Sequence, residues 1–150
     1  MDTLKERLQS DLTTAMRERD LTRTATLRMA LTAISTAEVA GKQARQLSDD
    51  EIVAVLTKEA KKRREAADAY RDGGRAESAA AEEAEAEIIA EYLPEPLTEE
   101  ELSSLVDEAI AEAGAESPRD MGKVMKLLTP RVAGRADGKT VAAAVKNRLA

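Results

Sequence analysis

The sequence predicts an all-α protein built from two helical units, and three observations support this prediction. The chain has 150 residues and is rich in alanine, leucine and charged residues, which favour helices. Phe and Trp are absent and the only aromatic residues are Tyr70 and Tyr92, so the side chains that favour strands are scarce. Apolar residues recur at three- and four-residue steps instead of alternating with polar ones.

Four helices are predicted in the N-terminal unit. The first carries an apolar stripe at steps of four residues: Leu4, Leu8, Leu12 and Met16. The second begins near Leu21 and ends at Gly41, and the third runs from the capping box Ser48-Asp49-Asp50-Glu51 to Gly73-Gly74. The fourth, Arg75 to Leu93, has little but alanine to bury in its first half. We therefore expect it to pack weakly and to turn its glutamates to solvent.

A run of charge in the third helix, Lys58 to Glu65, has two interpretations. One is a solvated face with ion pairs at one-turn spacing, such as Lys61 with Glu65 and Arg64 with Asp68. The other is a second contact surface for a partner. Charge runs most often belong to solvated faces, which favours the first interpretation.

A boundary is predicted at Leu93-Pro94-Glu95-Pro96-Leu97, because two prolines so close together end a helix and stiffen the joint. Residues 1–93 and 97–150 are therefore expected to form separate domains. In the second, a capping box at Thr98 starts a helix that ends at Gly114, and Ser117-Pro118 starts the next as N-cap and first residue. The last helix begins near Lys139.

The net charge of −6 is distributed unevenly along the chain. Residues 1–118 hold 15 Lys/Arg and 27 Asp/Glu, a net charge of −12, whereas residues 119–150 hold 8 and 2, a net charge of +6. Such asymmetry predicts an anion-binding surface at the C-terminal end. The candidate phosphate-binding residues are Arg119, Lys123, Lys126, Arg131, Arg135, Lys139 and Lys146.

A short turn, Gly134-Arg135-Ala136-Asp137-Gly138, joins the helix that starts at Ser117-Pro118 and carries Lys123 and Lys126 to the last helix. Gly134 suits the left-handed position that ends a helix, and Asp137 can cap the helix that follows. We therefore assign Gly134, Asp137 and Gly138 a structural role in this turn. That role is compatible with a phosphate contact at the same place.

Composition argues against an autonomous enzyme. Cys and His are absent, which excludes thiolate nucleophiles, histidine acid–base catalysis and ordinary zinc sites. Neither a nucleophile loop rich in Gly and Ser nor a phosphate-cradling Gly-rich loop is present. We predict no catalytic residues, no metal site and no cofactor.

The N-terminal residues Met1 to Arg7 are charged and lack the apolar core of a signal peptide. Nowhere does an apolar run approach the length that spans a membrane. These features predict a cytoplasmic protein with no membrane partner, and the lack of cysteine fits a reducing compartment.

Several motifs, in this order and spacing, resemble the GatB/YqeY family over essentially the whole chain. They are Leu27-Arg28-Met29, Lys58 with Lys61-Lys62-Arg63, Gly74-Arg75, Glu82 and Glu85 before Tyr92-Leu93-Pro94, Asp120-Met121-Gly122-Lys123-Val124-Met125, and Gly134-Arg135-Ala136-Asp137-Gly138-Lys139. The resemblance implies a helical bundle followed by a small three-helix domain. It also implies kinship with the tail domain of the B subunit of tRNA-dependent amidotransferases, which helps to grip tRNA.

Two functions follow as hypotheses. The first is an accessory module that binds tRNA or another structured RNA and has no catalytic machinery of its own. The family is associated with carbon–nitrogen ligase activity that uses glutamine as amido-N-donor. On this hypothesis that association reflects the relationship to the amidotransferases and is not an activity of this chain. The second is a module whose cationic C-terminal surface binds a protein of the translation or aminoacyl-tRNA machinery. The C-terminal unit has no aromatic residues to stack bases, so RNA recognition would rest on backbone shape.

Overall fold

A computed structural model describes residues 2–150, and this part of the chain is all-α, without a strand. Its seven helices are α1 (Leu4–Arg17), α2 (Leu21–Glu38), α3 (Asp49–Asp72), α4 (Ala76–Ala90), α5 (Glu99–Ala113), α6 (Met121–Val132) and α7 (Gly138–Leu149). The predicted fold class is thereby confirmed. The chain divides into two compact units that meet between Leu93 and Pro94. That residues 97–150 fold as an independent domain stays a prediction.

Local signals in the sequence explain where most helices begin and end. Thr3, Asp20 and Asp137 cap α1, α2 and α7 with side-chain oxygens that accept backbone N–H groups. Ser48 and Thr98 form complete capping boxes at the starts of α3 and α5. These bonds satisfy amides that have no partner within the helix.

The start of α6 differs from the expectation. Ser117 makes no side-chain cap bond, and Pro118–Asp120 form a single 3₁₀ turn before the α-helix begins at Met121. The Asp120 carboxylate instead accepts the backbone N–H of Glu116 at 3.0 Å, which folds the segment back on itself. Pro130 lies two residues before the end of α6, consistent with its inability to extend the helix.

In the N-terminal unit, α1 and α2 form a hairpin that shares its core with α3 and the end of α4. The fully buried large side chains of this core include Leu8, Leu27, Ile34, Ile52 and Leu56. Met16, expected in the stripe of α1, is instead 50% exposed, and Ala15 is buried in its place. Each four-residue step turns a helix by about 400°, so three such steps carry Met16 about 120° away from Leu4.

The first half of α4 is packed, contrary to the expectation of weak packing. The most extensive helix contact in this unit is between α3 and α4. Ala79 and Ala86 of α4 are buried, as are Ala60 and Ala67 of α3. Small side chains at a contact let two helix axes lie close together, so alanine gives a tight interface here.

In the C-terminal unit, α5, α6 and α7 enclose one apolar core. Its buried residues are Leu102, Val106, Ala109, Val124, Leu128, Val132, Val141, Val145 and Leu149. Met121 and Met125 pack at its edge. On α6, Val124 and Leu128 are fully buried while Lys123 and Lys126 are exposed, so the apolar residues at three- and four-residue steps face the core.

Candidate nucleic-acid interface

The cationic residues of the C-terminal unit fall on α6, α7, the turn between them and the 3₁₀ turn before α6. Lys123 and Lys126 are three residues apart near the start of α6, which places them on one side of that helix, and Arg119 lies in the 3₁₀ turn that precedes it. Lys139 and Lys146 are seven residues apart and share a side of α7. All five side chains are exposed.

In the turn that connects α6 to α7, Gly134 and Asp137 have the conformation and the capping bond that the sequence predicts for them. Gly134 has φ of +76°, the left-handed conformation that glycine adopts without a steric penalty. Asp137 caps α7 by accepting the backbone N–H of Lys139 at 3.4 Å. The backbone N–H of Leu97 donates to the carbonyl of Arg135 at 2.9 Å, which fastens the turn to the segment before α5.

The turn role assigned to Gly138 does not hold. Gly138 is the first residue of α7, and it is not among the glycines with positive φ. A Cβ atom added to it would meet no heavy atom within 4 Å. Neither the backbone conformation nor the packing of this unit therefore requires glycine at position 138.

Three arginines of this unit are bound to carboxylates of α5. The guanidinium of Arg131 lies 2.5 Å from the carboxylate of Glu112, and that of Arg148 pairs with Asp107. Arg135 lies 3.5 Å from Glu101, and its Nε also donates to the carbonyl oxygen of Glu95 at 2.9 Å. These arginines hold α6, the turn and α7 against α5.

Hydrogen bonds also shift the pKa values of two of these groups. A hydrogen bond to Glu112 raises the pKa of Arg131. The Thr98 backbone N–H is the main cause that lowers the pKa of Glu101, with smaller contributions from the Thr98 hydroxyl and from Arg135. Both shifts favour the charged form of the group concerned.

The lysines and Arg119 are different. Within residues 2–150, no carboxylate pairs with Arg119, Lys126, Lys139 or Lys146. Lys123 has only a long contact of 3.9 Å with Asp120, and its side chain is 72% exposed. The seven candidate residues thus separate into two arginines engaged inside the unit and five exposed cations that are free or nearly free.

With this geometry established, the chain can be compared with known proteins. The family model for Yqey-like proteins matches residues 5–149. The chain belongs to the YqeY-like family. No curated protein matches this YqeY-like chain with significant similarity.

In this YqeY-like chain, motifs of the N-terminal unit meet around one arginine. Arg63 lies 3.2 Å from Glu85, 3.4 Å from Glu59 and 3.9 Å from Glu82. An Arg63 Nη nitrogen also donates to the sulfur of Met29 at 2.8 Å. Only 15% of the Arg63 side chain is exposed, and its buried Nε–H makes no hydrogen bond.

This cluster corrects two expectations. Glu82 and Glu85 do not lie on a solvated face but turn toward Arg63, because they are three residues apart on the side of α4 that packs on α3. Within the charge run of α3, Asp68 pairs with Arg71 instead of Arg64. The run is thus not uniformly solvated, since Arg63 is inside and its neighbours Lys62 and Arg64 are exposed.

The sequence interpretation missed the carboxylates of α5 as partners of the arginines. A signal was present, since Glu101, Asp107 and Glu112 recur along α5 near its predicted apolar stripe. In a three-helix unit each helix touches the other two, so charges that flank one stripe meet those on its neighbours.

No helix in residues 2–150 combines the length and apolar composition needed to cross a bilayer.

Proposed function

We propose that the C-terminal unit binds structured RNA, with tRNA as the favoured partner, and that it acts as an accessory module without catalytic machinery of its own. The observation that carries the proposal is a set of five exposed cations on α6, α7 and the 3₁₀ turn before α6, of which only Lys123 has a carboxylate nearby, at 3.9 Å. The phosphate backbone of RNA is the polyanion that such a surface fits, because lysines release counterions when they contact phosphates. Membership of the YqeY-like family supports this direction. The kinship with the amidotransferase tail that the sequence resemblance implies points the same way.

The division between lysines and arginines refines the site. Lys126, Lys139 and Lys146 can contact phosphate without first breaking an ion pair, whereas Arg131 and Arg135 would have to release Glu112 and Glu101. A lysine ammonium is a compact charge on a flexible stem, which suits contact with a phosphate backbone of irregular shape. We therefore assign the RNA contact to the lysines and Arg119, and a structural role to the paired arginines.

The mode of recognition follows from what the unit exposes. Residues 94–150 contain no aromatic side chain, so base stacking cannot supply the affinity. Contacts to phosphate carry no sequence information, and discrimination would come from the shape of folded RNA. Binding should therefore tolerate changes of RNA sequence and depend strongly on salt.

The alternative is an acidic protein partner of the same surface. It is favoured by one observation, the readiness with which carboxylates of α5 already pair with cations of α6 and α7. The unit as a whole is also slightly acidic, with eight Lys/Arg and ten Asp/Glu in residues 94–150. This alternative becomes the better account if no RNA binds.

A binding experiment with matched variants tests the proposal. Replacement of Lys126, Lys139 and Lys146 by Gln should weaken the affinity for tRNA by about tenfold or more and leave the circular dichroism spectrum unchanged. The control replaces three exposed cations of α3, Lys58, Lys62 and Arg64, by Gln, which removes the same charge from the other unit. Arg63 is kept in that control, because it lies inside an ion-pair cluster. Equal losses in both variants would show attraction by total charge, not a site.

A further inference from the structure

The outward face of α2 is unlike any ordinary solvated helix face of this protein. Its exposed residues are Leu21, Thr22, Ala25, Arg28, Thr32, Ser35 and Thr36. Only Arg28 among them is charged. On α3, by comparison, every exposed residue except Ala54 and Ala69 is charged. A face with a single charge is unusual on an exposed helix of a chain that is 35% charged, which makes it a candidate contact surface.

Five of these exposed residues, together with Val39, lie in one line along the helix. We call this line the α2 seam. It consists of Leu21, Ala25, Arg28, Thr32, Ser35 and Val39, at steps that alternate between four and three residues. This is the spacing with which a helix presents one line of side chains to a partner helix. Leu21 is 81% exposed and Val39 is 64% exposed, so the seam has a large apolar side chain at each end. Between them lie Arg28 and the smaller side chains of Ala25, Thr32 and Ser35.

A shallow groove marks the C-terminal half of the seam. It has a volume of about 400 Å³ and is lined by Leu31, Thr32, Ser35, Thr36 and Val39. Leu31 and Val39 give it apolar walls, and the three hydroxyl side chains carry no charge. The groove fits an aliphatic side chain of a docked segment better than a charged one.

Helix α1 widens this surface. Lys5 pairs with Glu38 at 2.8 Å, and Arg28 donates to the sulfur of Met16 at 3.8 Å, so α1 lies antiparallel beside α2. Gln9 and Thr13 fall between Lys5 and Met16 on the same side of α1, and both are exposed and uncharged. Because the pair formed by Lys5 and Glu38 is neutral, Arg28 supplies the net charge of the surface.

Arg28 has no structural partner that accounts for its position. Its neighbours are engaged, since Leu27 is buried in the core and Met29 accepts a hydrogen bond from Arg63. The guanidinium of Arg28 contacts only the Met16 thioether and pairs with no carboxylate in residues 2–150. An arginine without a carboxylate partner in the middle of an otherwise uncharged surface can pair with a carboxylate of a bound molecule.

We propose that the α2 seam binds an amphipathic helix of a partner protein, with aliphatic side chains along the seam and a carboxylate that pairs with Arg28. This inference does not depend on the proposed RNA function.

A second copy of the chain fits the α2 seam less well. An antiparallel pairing about residue 30 would match Leu21 with Val39, but Arg28 would face Thr32. The only carboxylate of α2, Glu38, is already bound by Lys5 and by the Leu47 backbone N–H.

Synthetic peptides test the proposal on the full-length protein. The probe is an 18-residue helical peptide with leucine at seam spacing and glutamate at the outer positions, about 27 Å long. Two matched peptides replace either the glutamates by lysine or the leucines by serine. Fluorescence anisotropy measures affinity, and amide chemical shifts locate the contact. We expect the acidic amphipathic peptide to bind about tenfold or more tightly than either control peptide, with shifts confined to residues 5–39.

Variants of the protein make the test specific. Arg28→Glu should weaken binding of the acidic peptide by about tenfold, whereas Arg64→Glu, the same charge change on exposed α3, should leave it unaltered. Absence of binding, equal binding of all three peptides, or shifts centred on α6 and α7 would each overturn the proposal. So would a dimer in sedimentation experiments that Val39→Lys dissociates. Binding to anionic phospholipid vesicles that Arg28→Glu abolishes would assign the surface to a membrane instead.

Discussion

The Nε–H of Arg135 donates to the backbone carbonyl of Glu95, with 2.9 Å between nitrogen and oxygen. Together with the Leu97 N–H that donates to the Arg135 carbonyl, it ties the turn before α7 to the segment that precedes α5. An arginine that the sequence offers as a phosphate ligand is thus engaged in closing its own unit. The positions of the carboxylates and carbonyls, not of the cations alone, decide which charges are free.

This relationship predicts where an isolated C-terminal unit must begin. A fragment of residues 97–150 should show helical circular dichroism but marginal stability, because so small a unit buries little apolar surface. A fragment of residues 94–150 keeps the Glu95 carbonyl and should be more stable by about 1 kcal/mol in urea denaturation. An unstructured 94–150 fragment would show that its helices depend on the rest of the chain.

Core and surface of α6 should respond differently to substitution. Val124 is fully buried, so Val124→Asp should lower the free energy of unfolding by about 3 kcal/mol or more through an unpaired buried charge. Lys123 is exposed, and Lys123→Ala should change it by less than about 0.5 kcal/mol. Thermal denaturation of both variants measures the contrast, and equal shifts in Tm would refute the facing of the helix.

The two glycines of the connecting turn should also behave differently. Gly134→Ala forces a side chain into a left-handed conformation and should destabilise the protein by about 1 kcal/mol. Gly138→Ala should be neutral or stabilising by about 0.5 kcal/mol, because position 138 is helical and open. Chemical denaturation of the pair checks this. A loss at position 138 as large as that at position 134 would contradict the structural assignment.

Much of the fold was predictable because local signals agree with one another. The capping boxes at Ser48 and Thr98 mark helix starts that need no tertiary information, and Gly114 and Gly134 mark ends. The periodicity of α6 was sufficient to place Val124 inside and Lys126 outside. These features depend on residues within one or two helical turns.

The features that were not predictable depend on contacts between helices, which a single sequence does not reveal. That Arg63 gathers glutamates from two helices follows from how α3 packs on α4, and alanine gives no pattern strong enough to predict that contact. The free and paired cations of the C-terminal unit separate for the same reason. Helix spacing showed which charges are exposed, but only the packing of α5 showed which are neutralised.

The Arg63 cluster yields a prediction about pH. Burial is the main cause that raises the pKa of Glu85, and the nearby Glu82 adds to it, while Arg63 opposes the shift. Glu59 of α3 also contacts Arg63 and competes for its charge. A carboxyl whose folded-state pKa is raised opposes folding while it is ionised, and this penalty disappears as the pH falls through that pKa.

Glu85→Gln should therefore raise the free energy of unfolding at pH 7, where the wild-type carboxylate is ionised. The difference from wild type should shrink as the pH falls through the raised folded-state pKa toward the ordinary value of 4.5. Urea denaturation at several pH values measures it, with Glu87→Gln on the exposed side of α4 as the control. If Glu85→Gln instead lowered the free energy of unfolding at pH 7, and this loss shrank as the pH fell, the ionised form would be stabilised by Arg63 and the prediction would be wrong.

The most direct test of the account is the salt dependence of tRNA binding. We predict that the logarithm of the association constant falls linearly with the logarithm of the NaCl concentration. For the variant with Gln at positions 126, 139 and 146, the slope should be shallower by about 2 to 3 units, because each lost phosphate contact removes about 0.7 to 0.9. A matched DNA duplex should bind more weakly than tRNA to the wild-type protein. Identical slopes for wild type and variant, or no binding of tRNA at low salt, would contradict the assignment of the lysine surface to RNA.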